Sequence, residues 1–534
     1  IHPEKTRFGI MFGDNTGYAA ACEYLAEMLE TVGRNEEAQT YRQRADEIRQ
    51  RLNQIAWNGR FFTHHVPEDP NVKRDLGVDE STQISLSNTC SLNRRIAHEQ
   101  CAAILQTYRE LKENLPPGAP GEWYLIYPPF PRGYDGHCVP WQYMNGGVST
   151  IAAGELAHGA FEHGFEEYGV DILRRTLALG NRYGRMFHEC YTGAFPPPPP
   201  RTFQPVSLLP FANCDSTLKD SPATPSWTPG EHPELGNLPK GGQTFQEIPF
   251  EIDRALALST HAGYAQTVEL PVNARAGSVY LLHTLARGQT AGALTIHYTD
   301  GSSKTCYVRE GQNIISINHW AEQSLPAENR PKIRAAVAWK DYQPRHLHIY
   351  VTVTGFDTDP QKEIRSITFQ SAQDGALWFV LGMTLSDSPV YFPPNPLSYG
   401  IPRGWGAAAL TYALVEGLAG VVDESTAFER VLIAPRWSAA GVNEAEVTIH
   451  YPASDGYIAY RYHLDKAKKR LTLTLTGSGE HARLRLLLPE SATSVNHVTR
   501  DGTPAAYQVA SIENSRYVET ELPLIGIHHV EISL

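Results

Sequence analysis

The sequence lacks several features that would place it in common functional classes. It has no run of basic residues and its formal net charge is −12, which argues against binding to nucleic acid or to an anionic membrane. No apolar stretch approaches the roughly 20 residues that a membrane-spanning helix needs. No signal peptide is recognisable and the chain begins at Ile1, so we expect a mature product or a piece of a longer protein. The compartment stays open, with a soluble secreted or periplasmic protein favoured over a cytoplasmic one.

Motifs that bind metals or nucleotides are also missing. Seven cysteines are scattered without CxxC spacing, which argues against a zinc site or a dense disulfide framework and predicts mostly buried free thiols. The histidines form no HExxH pattern, and we expect no catalytic metal. There is no GxGxxG after a strand and no GxxxxGK[ST], so we expect no nucleotide and no other cofactor.

Two kinds of helical pattern fill the first 200 residues, and one of them returns once later. Three segments repeat apolar residues at helical spacing between charged ones, which predicts amphipathic outer helices; they are 41–55, 98–112 and 166–179. Four others are rich in small residues, with apolar residues on more than one face, which predicts helices packed on several sides. These thin segments are 16–30, 81–93, 146–160 and 404–420. The alternation predicts helical hairpins.

The thin segments recur at a nearly constant interval. Distinctive residues precede or open them, namely Asp14, Asp79, Trp141 and Trp405. The first two intervals are 65 and 62 residues, which suits two long helices and a connecting loop. The third is 264 residues, and removing an inserted segment of about 200 residues restores the period.

Strand patterns predict two β-sandwiches. A polyproline-like exit at Gly193–Pro205 opens a Pro-rich stretch that we expect to be irregular. Alternating strands then predict an inserted antiparallel sandwich, and a second set predicts a C-terminal sandwich. The predicted divisions are a helical part at 1–195, an irregular linker at 196–242, an inserted sandwich at 243–395, a final helix at 396–435 and a C-terminal sandwich at 436–534.

Several segments resemble the six-hairpin glycosidases. The helical ones are GDNTGYAAACEYLAEMLETVGRNEEAQTYRQRADEIRQRL, WQYMNGGV and PRGWGAAALTYALVEGLAGV. The inserted segment SVYLLHTLARGQTAGALTIHYTDGS resembles galactose-binding-like sandwich modules. The resemblance implies a mixed multidomain chain with an (α/α)6 toroid of helical hairpins. Because the sequence contains four thin inner helices, the toroid is incomplete, and we expect an upstream portion or a second chain to complete it.

The resemblance also implies a glycoside hydrolase that removes terminal sugars from oligo- or polysaccharides. Families of this type mostly invert the anomeric centre, which needs two carboxyl groups about 6.5–9.5 Å apart. The α-L-rhamnosidase-like, glucoamylase-like, trehalase-like and disaccharide-phosphorylase-like groups all stay open. The partner is therefore a carbohydrate, and neither a nucleic acid nor a membrane.

Candidate catalytic carboxylates stand on the loops that would form one mouth of the toroid. They are Asp14, Glu80, Asp135 and Glu189, with Asp14 or Glu80 as the acid and Glu189 or Asp135 as the base. Each has a structural alternative. Asp14 and the pair Asp79–Glu80 suit helix caps, Asp135 suits an Asp–Gly turn, and Glu189 suits a helix end. Glu155, in the middle of a thin segment, is interpreted as structural.

Aromatic rings and amides near the same loops suit a sugar, whose C–H faces stack on rings and whose hydroxyls need polar partners. The candidate substrate-binding residues are Asn15, Asp79, Gln83, Arg132, His137, Trp141, Gln142, Asn145 and Trp405. The alternatives for two of them are a core cap at Trp141 and a helix N-cap at Asn145.

Three other functions stay open. A polysaccharide lyase would use Tyr143 or His137 for proton removal, with Asn145 and Arg132 neutralising a uronate. A disaccharide phosphorylase would need phosphate. A non-catalytic carbohydrate-binding protein would use tryptophans of the inserted sandwich, for which core packing is the alternative; these are Trp320, Trp339 and Trp378.

Overall fold

The structure is a computed structural model of a mixed chain with helices and antiparallel sheets. It describes residues 9–69, 71, 76–131, 140–183, 185–195, 200–218, 235–319, 335–343, 347–393, 396–399 and 404–534. The chain divides into two compact units. Unit 1 comprises Ile1–Ala194 and Pro396–Leu534, and unit 2 comprises Phe195–Asn395.

The helices lie in unit 1. In its described residues they are α1 (Phe12–Thr31), α2 (Asn35–Ile55), α3 (Leu86–Ser91), α4 (His98–Glu113), α5 (Thr150–Glu162), α6 (Glu166–Arg182) and α7 (Gly404–Tyr412). A π-helix, Ala413–Leu418, continues α7, and a single 3₁₀ turn spans Glu80–Thr82. The three amphipathic segments predicted from the sequence lie inside α2, α4 and α6. In the described part of the chain, no helix is long and apolar enough to span a membrane.

The thin segments also form helices, but with different bounds. The segment 81–93 is the clearest correction, because only Leu86–Ser91 is α-helical. Residues Ile84–Ser85 pair instead with Ile126–Tyr127, so long-range strand pairing replaces the first turns of the expected helix. Likewise α1 begins at Phe12, which places Asp14 inside the helix rather than ahead of it.

Short strands precede the thin helices. In the helical part they are β1 (Gly9–Met11), β2 (His65–Pro67), β3 (Ile84–Ser85), β4 (Ile126–Tyr127), β5 (Val148–Ser149) and β6 (Cys190–Tyr191). The strand β1 pairs with β2, β3 with β4, and β5 with β6, all antiparallel.

The helices α1 and α3 pack side by side and run in the same direction. Near their starts, a Cβ on Gly13 would lie 2.0 Å from the Ser87 hydroxyl oxygen, so only glycine permits this approach. One turn further along both helices, the hydroxyls of Thr16 and Ser91 are 3.1 Å apart.

The helices α5 and α7 pack in the same parallel manner. A Cβ on Gly406 would lie 2.0 Å from the Thr150 hydroxyl oxygen at the helix starts. Further along, a Cβ on Gly154 would lie 2.4 Å from the carbonyl carbon of Ala409. The small residues of these segments therefore reflect close backbone approach between neighbouring helices, as their composition predicts.

Unit 2 is built from strands. They are β7 (Phe203–Val206), β8 (Cys214–Asp215), β9 (Gly241–Phe245), β10 (Ile248–Ile252), β11 (Arg254–Leu258), β12 (Thr267–Arg275), β13 (Ser278–Arg287), β14 (Thr290–Tyr298), β15 (Ser303–Arg309), β16 (Asn318–His319), β17 (Ala335–Gln343), β18 (Leu347–Asp357), β19 (Glu363–Ser371) and β20 (Leu377–Ser386). The strands β7 and β8 lie in the stretch that was expected to be irregular, where they pair with β20 and β11. That part of the expectation is wrong.

The central sheet of unit 2 is covered on both faces. Its order is β16-β18-β13-β20-β11-β8, with β17 on β18 and β7 on β20. One face packs on the sheet β12-β19-β14-β15, and the other packs against residues of the β9–β10 hairpin. Every residue of β20 is consequently buried, as is typical of a strand with two covered faces.

The C-terminal part of unit 1 is a two-sheet sandwich. The strands from residue 396 onward are β21 (Leu397–Tyr399), β22 (Val421–Asp423), β23 (Arg430–Ile433), β24 (Glu444–His450), β25 (Tyr457–Asp465), β26 (Arg470–Gly477), β27 (His481–Leu487), β28 (His497–Arg500), β29 (Thr503–Pro504), β30 (Gln508–Ile512), β31 (Ser515–Pro523) and β32 (His528–Ser533). The sheets are β22-β23-β27-β31-β30 and β24-β25-β26-β32-β28-β29, while β21 pairs with β6. The sandwich thus begins at Val421, ahead of the predicted boundary at 436.

Candidate functional site

The starts of the four thin helices are tied together. The amide of Leu86, at the start of α3, donates to Leu125 O at 3.0 Å, and the amide of Leu125 donates to Gly147 O at 2.8 Å, just ahead of α5. Together with the glycine contacts described above, these hydrogen bonds link the first residues of α1, α3, α5 and α7 from one helix to the next, at the same end of the packed helices. We call this end the rim, and define it by Asp14, Glu80, Trp141, Glu189 and Trp405 together with the segments that hold them.

Asp14 lies in the first turn of α1 and its side chain is exposed. The residue ahead of the helix, Met11, makes no side-chain capping hydrogen bond. The side chain of Asn15 is turned back onto the helix, because its Nδ2 donates to Met11 O at 2.9 Å. Asp14 is therefore the group on this turn that is available to a ligand, whereas Asn15 is engaged.

Asp79 is an N-cap, which is the structural role that its sequence context allows. Its Oδ1 accepts from the amide of Ser81 at 3.0 Å and from the Ser81 hydroxyl at 2.7 Å. These hydrogen bonds lower the pKa of the Asp79 carboxyl. Asp79 thus caps the 3₁₀ turn that carries the next residue, Glu80.

Glu80 is partly buried beside a histidine. Its Oε1 lies 3.9 Å from His65 Nδ1, and the two side chains are 20% and 16% exposed. The strand pairing fixes His65 beside the start of α1, because β1 and β2 place it opposite Met11. Glu80 is therefore the more enclosed of the two acid candidates.

Glu189 lies between α6 and β6, beside the start of α5. Its backbone carbonyl accepts from the amide of Thr150 at 3.3 Å, and the Thr150 hydroxyl donates to His188 O at 2.9 Å. The Glu189 side chain is partly exposed, and no described residue donates a hydrogen bond to it. The position is held by the backbone while the carboxylate is available to water or substrate.

The loop formed by the segment WQYMNGG is fixed by backbone hydrogen bonds. Trp141 has a left-handed backbone with φ 71°, its amide donates to Asn145 O at 2.8 Å, and its carbonyl accepts from Gly193 N at 2.7 Å. The partly buried indole packs near Tyr124 and Tyr127, with ring centroids 6.2 and 6.3 Å away.

Asn145 differs from both sequence interpretations. It is fully buried; its Oδ1 accepts from Phe130 N at 2.7 Å and its Nδ2 donates to Phe130 O at 3.0 Å. Both functional atoms of the amide are therefore used to join two loops. The N-cap of α5 is Ser149, whose hydroxyl accepts from Ile151 N, so the expectation of an N-cap at Asn145 is wrong.

The amide side chains of Gln142 and Gln83 are buried, whereas the side chain of Trp405 is exposed. Gln142 is 9% exposed and Gln83 is fully buried; Gln83 Nε2 donates to Pro128 O at 2.7 Å. Trp405, the second residue of α7, is 75% exposed. It follows Gly404 and precedes Gly406, which packs on Thr150 beside Glu189. The remaining candidates, Arg132, Asp135 and His137, lie outside the described residues.

Candidates outside the rim are mostly part of the core. Trp378 is fully buried in unit 2 and Trp339 is partly buried, which favours core packing over sugar binding; Trp320 lies outside the described residues. Four of the six described cysteines are buried. No group of three His, Cys, Asp or Glu side chains in the described part of the chain is arranged to hold a metal ion.

One titratable group was missed by the sequence analysis. Glu416 lies on the π-helix, and burial together with Glu162 and Asp423 raises the pKa of its carboxyl to about 7. The only sequence signal is an acidic residue within the otherwise uncharged thin segment LTYALVEGLAG. Glu155, interpreted as structural, accepts from Asn93 Nδ2 at 2.6 Å, and burial raises its pKa.

Comparison with known proteins adds little to this geometry. No protein-family model matches the chain, and no curated protein matches it. A cycloisomaltooligosaccharide glucanotransferase from Paenibacillus sp., solved with cycloisomaltoheptaose, is 10% identical with a TM-score of 0.10; the match covers 55% of this chain and 43% of that carbohydrate-active enzyme. A mutant of oxalate decarboxylase from Bacillus subtilis is 11% identical with a TM-score of 0.11, over 55% and 74% of the two chains. Likeness at this level carries no argument about fold or function.

Proposed function

We propose that this chain acts as a glycoside hydrolase and that the rim is its active site. The observation that supports this most strongly is the common placement of the four thin-helix starts. The segments at these starts carry three carboxylates, Asp14, Glu80 and Glu189, and the exposed ring of Trp405. We further propose that the thin helices are the inner helices of an (α/α)6 toroid that further hairpins complete.

The carboxylates suit a two-carboxylate hydrolysis. A general base must reach a water molecule, and Glu189 is partly exposed with a backbone fixed by Thr150. A general acid must reach the leaving-group oxygen, and Glu80 is proposed for that role because its partly buried side chain lies on the 3₁₀ turn ahead of α3; Asp14 is proposed for a sugar-binding role or as the alternative acid. A separation of about 6.5–9.5 Å between acid and base would give inversion.

Trp405 is proposed as the platform on which a sugar ring stacks. Its indole is 75% exposed and offers a flat apolar face on which the C–H groups of a sugar ring can stack. Its neighbour Gly406 packs against Thr150, next to Glu189. A pyranose seated on the ring would therefore lie beside the proposed base.

The test is turnover of a panel of aryl glycosides and plant oligosaccharides by the purified chain and three variants. Glu189→Gln and Glu80→Gln are expected to lower kcat by about 10²–10⁴-fold while sugar binding persists. Asp14→Asn distinguishes the two proposed roles of Asp14. Loss of the general acid would lower kcat, whereas loss of a sugar-binding group would not. Glu167→Gln, exposed at the start of α6, is the matched control and should keep full activity.

The products decide between enzyme classes. NMR of the first anomer released shows whether the reaction inverts. An unsaturated product that absorbs ultraviolet light would replace the proposal with a lyase, and a strict phosphate requirement would replace it with a phosphorylase. Sugar binding with no turnover on any substrate of the panel would contradict hydrolysis and indicate a carbohydrate-binding protein.

A further inference from the structure

A buried histidine between the thin helices has one ring nitrogen without a hydrogen-bond partner. His158 on α5 is 6% exposed, and its Nε2 is buried with no hydrogen-bond partner. Its other nitrogen, Nδ1, lies 2.7 Å from Asn93 Oδ1. The Asn93 amide is oriented by its Nδ2, which donates to Glu155 Oε2 at 2.6 Å. Asn93 Oδ1 must therefore accept, so His158 Nδ1 carries the hydrogen and Nε2 presents a lone pair.

This imidazole stays neutral across the physiological range. Burial lowers the pKa of His158 to about 4, and only the nearby carboxylate of Glu162 opposes that shift. The ring is fixed in place by Tyr412 of α7, which stacks on it with centroids 3.9 Å apart and planes inclined by 17°. The lone pair consequently needs an external hydrogen-bond donor, because a buried acceptor without one costs free energy.

Glu416 is the group that faces this lone pair. Its Oε2 lies 3.8 Å from His158 Nε2, with the carboxyl side chain 33% exposed. The distance exceeds that of a hydrogen bond by less than 1 Å. Glu416 lies on the π-helix, one turn after Tyr412; π-helical turns are frequent at functional positions.

We propose that His158 and Glu416 form a proton-sharing pair, in which the protonated carboxyl of Glu416 donates to His158 Nε2 and fastens the π-helix to α5, and in which loss of that proton releases the contact. The proton passes between Glu416 and solvent, and the imidazole remains neutral throughout. With Glu416 ionised, two acceptors face each other and the short contact is unfavourable.

Burial first, and the neighbouring carboxylates second, raise the pKa of Glu416. The anions that face it are Glu162 from α5 and Asp423 from β22. The buried guanidinium of Arg436 bonds to Glu162 and to backbone oxygens: its Nη2 donates to Glu162 Oε1 at 2.8 Å, and its Nη1 donates to Gly417 O at 2.5 Å and to the backbone oxygen of Glu416 at 3.5 Å, not to the Glu416 carboxyl.

Other titratable groups near the pair leave this balance unchanged. They are Tyr412 on α7, Tyr24 on α1, Tyr451 after β24, His163 at the end of α5, and Arg485 on β27, which faces Glu162. Burial raises the pKa of the Tyr412 and Tyr451 phenols, so both are neutral, and burial lowers the pKa of His163. The ionised form of Glu416 is thus disfavoured by an excess of negative charge and by partial burial.

The sign of the pH dependence follows from the raised pKa. The pKa of the carboxyl is raised to about 7 in the folded chain, from the 4.5 of a solvent-exposed glutamate. Its contribution to stability is therefore complete below the lower value and is lost as the pH rises through the higher one. The pair is a device that loosens the π-helix above neutral pH, and it does not depend on the proposed hydrolase activity.

The test compares urea unfolding of the whole chain with that of Glu416→Gln, whose amide keeps a donor at every pH. Between about pH 5 and pH 8, the unfolding constant of the wild type should rise about tenfold more than that of the variant. Glu424→Gln, on the neighbouring turn and paired with Arg483, is the matched control and should follow the wild type.

A second measurement reports on the imidazole itself. In chain labelled with ¹⁵N-histidine, the Nε2 resonance of His158, identified by its absence in His158→Gln, should move with pH in the wild type and stay fixed in Glu416→Gln. A resonance that ignores pH in the wild type, or that moves equally in both proteins, would overturn the proposal. If His158→Gln does not fold, the unfolding comparison decides alone, and equal pH dependence of wild type and Glu416→Gln overturns it.

Discussion

The amide of Thr150 donates to the carbonyl oxygen of Glu189 at 3.3 Å. This bond joins the first residue of α5 to the segment that carries the proposed base, and Gly406 of α7 packs on the same threonine. The backbone of Glu189 is thus held by a hydrogen bond from the start of α5 and not by its own side chain. Changing the side chain should therefore probe chemistry without disturbing the fold.

Trp405→Ala should separate binding from stability. Because the indole is 75% exposed, its removal should change the free energy of unfolding by less than about 0.5 kcal/mol. Loss of the stacking platform should raise KM or the Kd for an oligosaccharide at least several-fold. Calorimetric titration and urea unfolding of the same preparation measure both. Unchanged sugar affinity would remove Trp405 from the proposed site.

Asn145→Ala should destabilise unit 1 by about 1–3 kcal/mol, because both backbone groups of Phe130 lose a buried partner. Asn145→Asp keeps an acceptor for Phe130 N but has no donor for Phe130 O, so it should recover only part of the loss. Urea unfolding ranks the three proteins. An alanine variant as stable as the wild type would show that the two loops do not depend on this amide.

Gly154→Ala should weaken the packing of α5 on α7. The added Cβ would meet the Ala409 backbone at 2.4 Å, and overpacking of this kind typically costs about 1–3 kcal/mol. Gly404→Ala, at the exposed start of α7 with no atom within 4 Å of the added Cβ, is the control and should be neutral or slightly stabilising. Thermal unfolding compares them, and equal midpoints would contradict the close approach.

Arg436→Met should cost about 3 kcal/mol, because it leaves Glu162 and the Gly417 carbonyl without their partner in a buried position. The exposed pair Arg461–Glu446, with side chains 70% and 72% exposed, gives the control. Arg461→Met should cost less than about 1 kcal/mol. Adding Glu162→Gln to Arg436→Met should restore part of the stability. Similar losses for the two arginines would show that burial does not matter here.

His283 in unit 2 should make the chain sensitive to acid. Trp378 Nε1 donates to His283 Nδ1 at 3.1 Å, so Nε2 carries the hydrogen toward Thr354 Oγ1 at 2.8 Å. Burial lowers the pKa of His283 to about 3, below the usual 6.5. The stability that the neutral ring provides is present above pH 6.5 and is lost as the pH falls toward 3.

The measurement is the urea midpoint of the wild type and of His283→Gln from neutral pH to about pH 4. The variant should show a shallower decline, because its amide does not titrate. His463→Gln, at a side chain 41% exposed, is the control and should decline like the wild type. A decline of equal steepness in all three proteins would exclude His283 as the titrating group.

Local patterns predicted some of this structure well. The amphipathic segments at 41–55, 98–112 and 166–179 lie within α2, α4 and α6, because a repeat of apolar residues at helical spacing specifies both the helix and its buried face. Asp79 caps its turn through contacts to Ser81, two residues away. Such features depend on neighbours in sequence, which a sequence pattern contains.

The thin helices were harder to delimit, and the reason is physical. Their small residues indicate close packing but do not determine where a helix begins. Residues Ile84–Ser85, for example, form a strand with Ile126–Tyr127 instead of a helical turn. The partner of Asn145 is Phe130 in another loop, which no helix-capping pattern indicates. The rim itself follows from glycine contacts between helices far apart in the chain.

The sequence by itself determined the alternation of thin and amphipathic helices and the presence of strand-rich regions, since periodicity and turn residues act over a few positions. Only the tertiary structure decided which polar groups are engaged and which are open. Asn145 and Glu189 lie in similar loop contexts, yet one amide is fully bonded to Phe130 and the other side chain has no donor among the described residues. Glu416 acquires its raised pKa from burial and, after that, from Glu162 and Asp423, because burial and the field of distant charges arise only when separate segments are folded together.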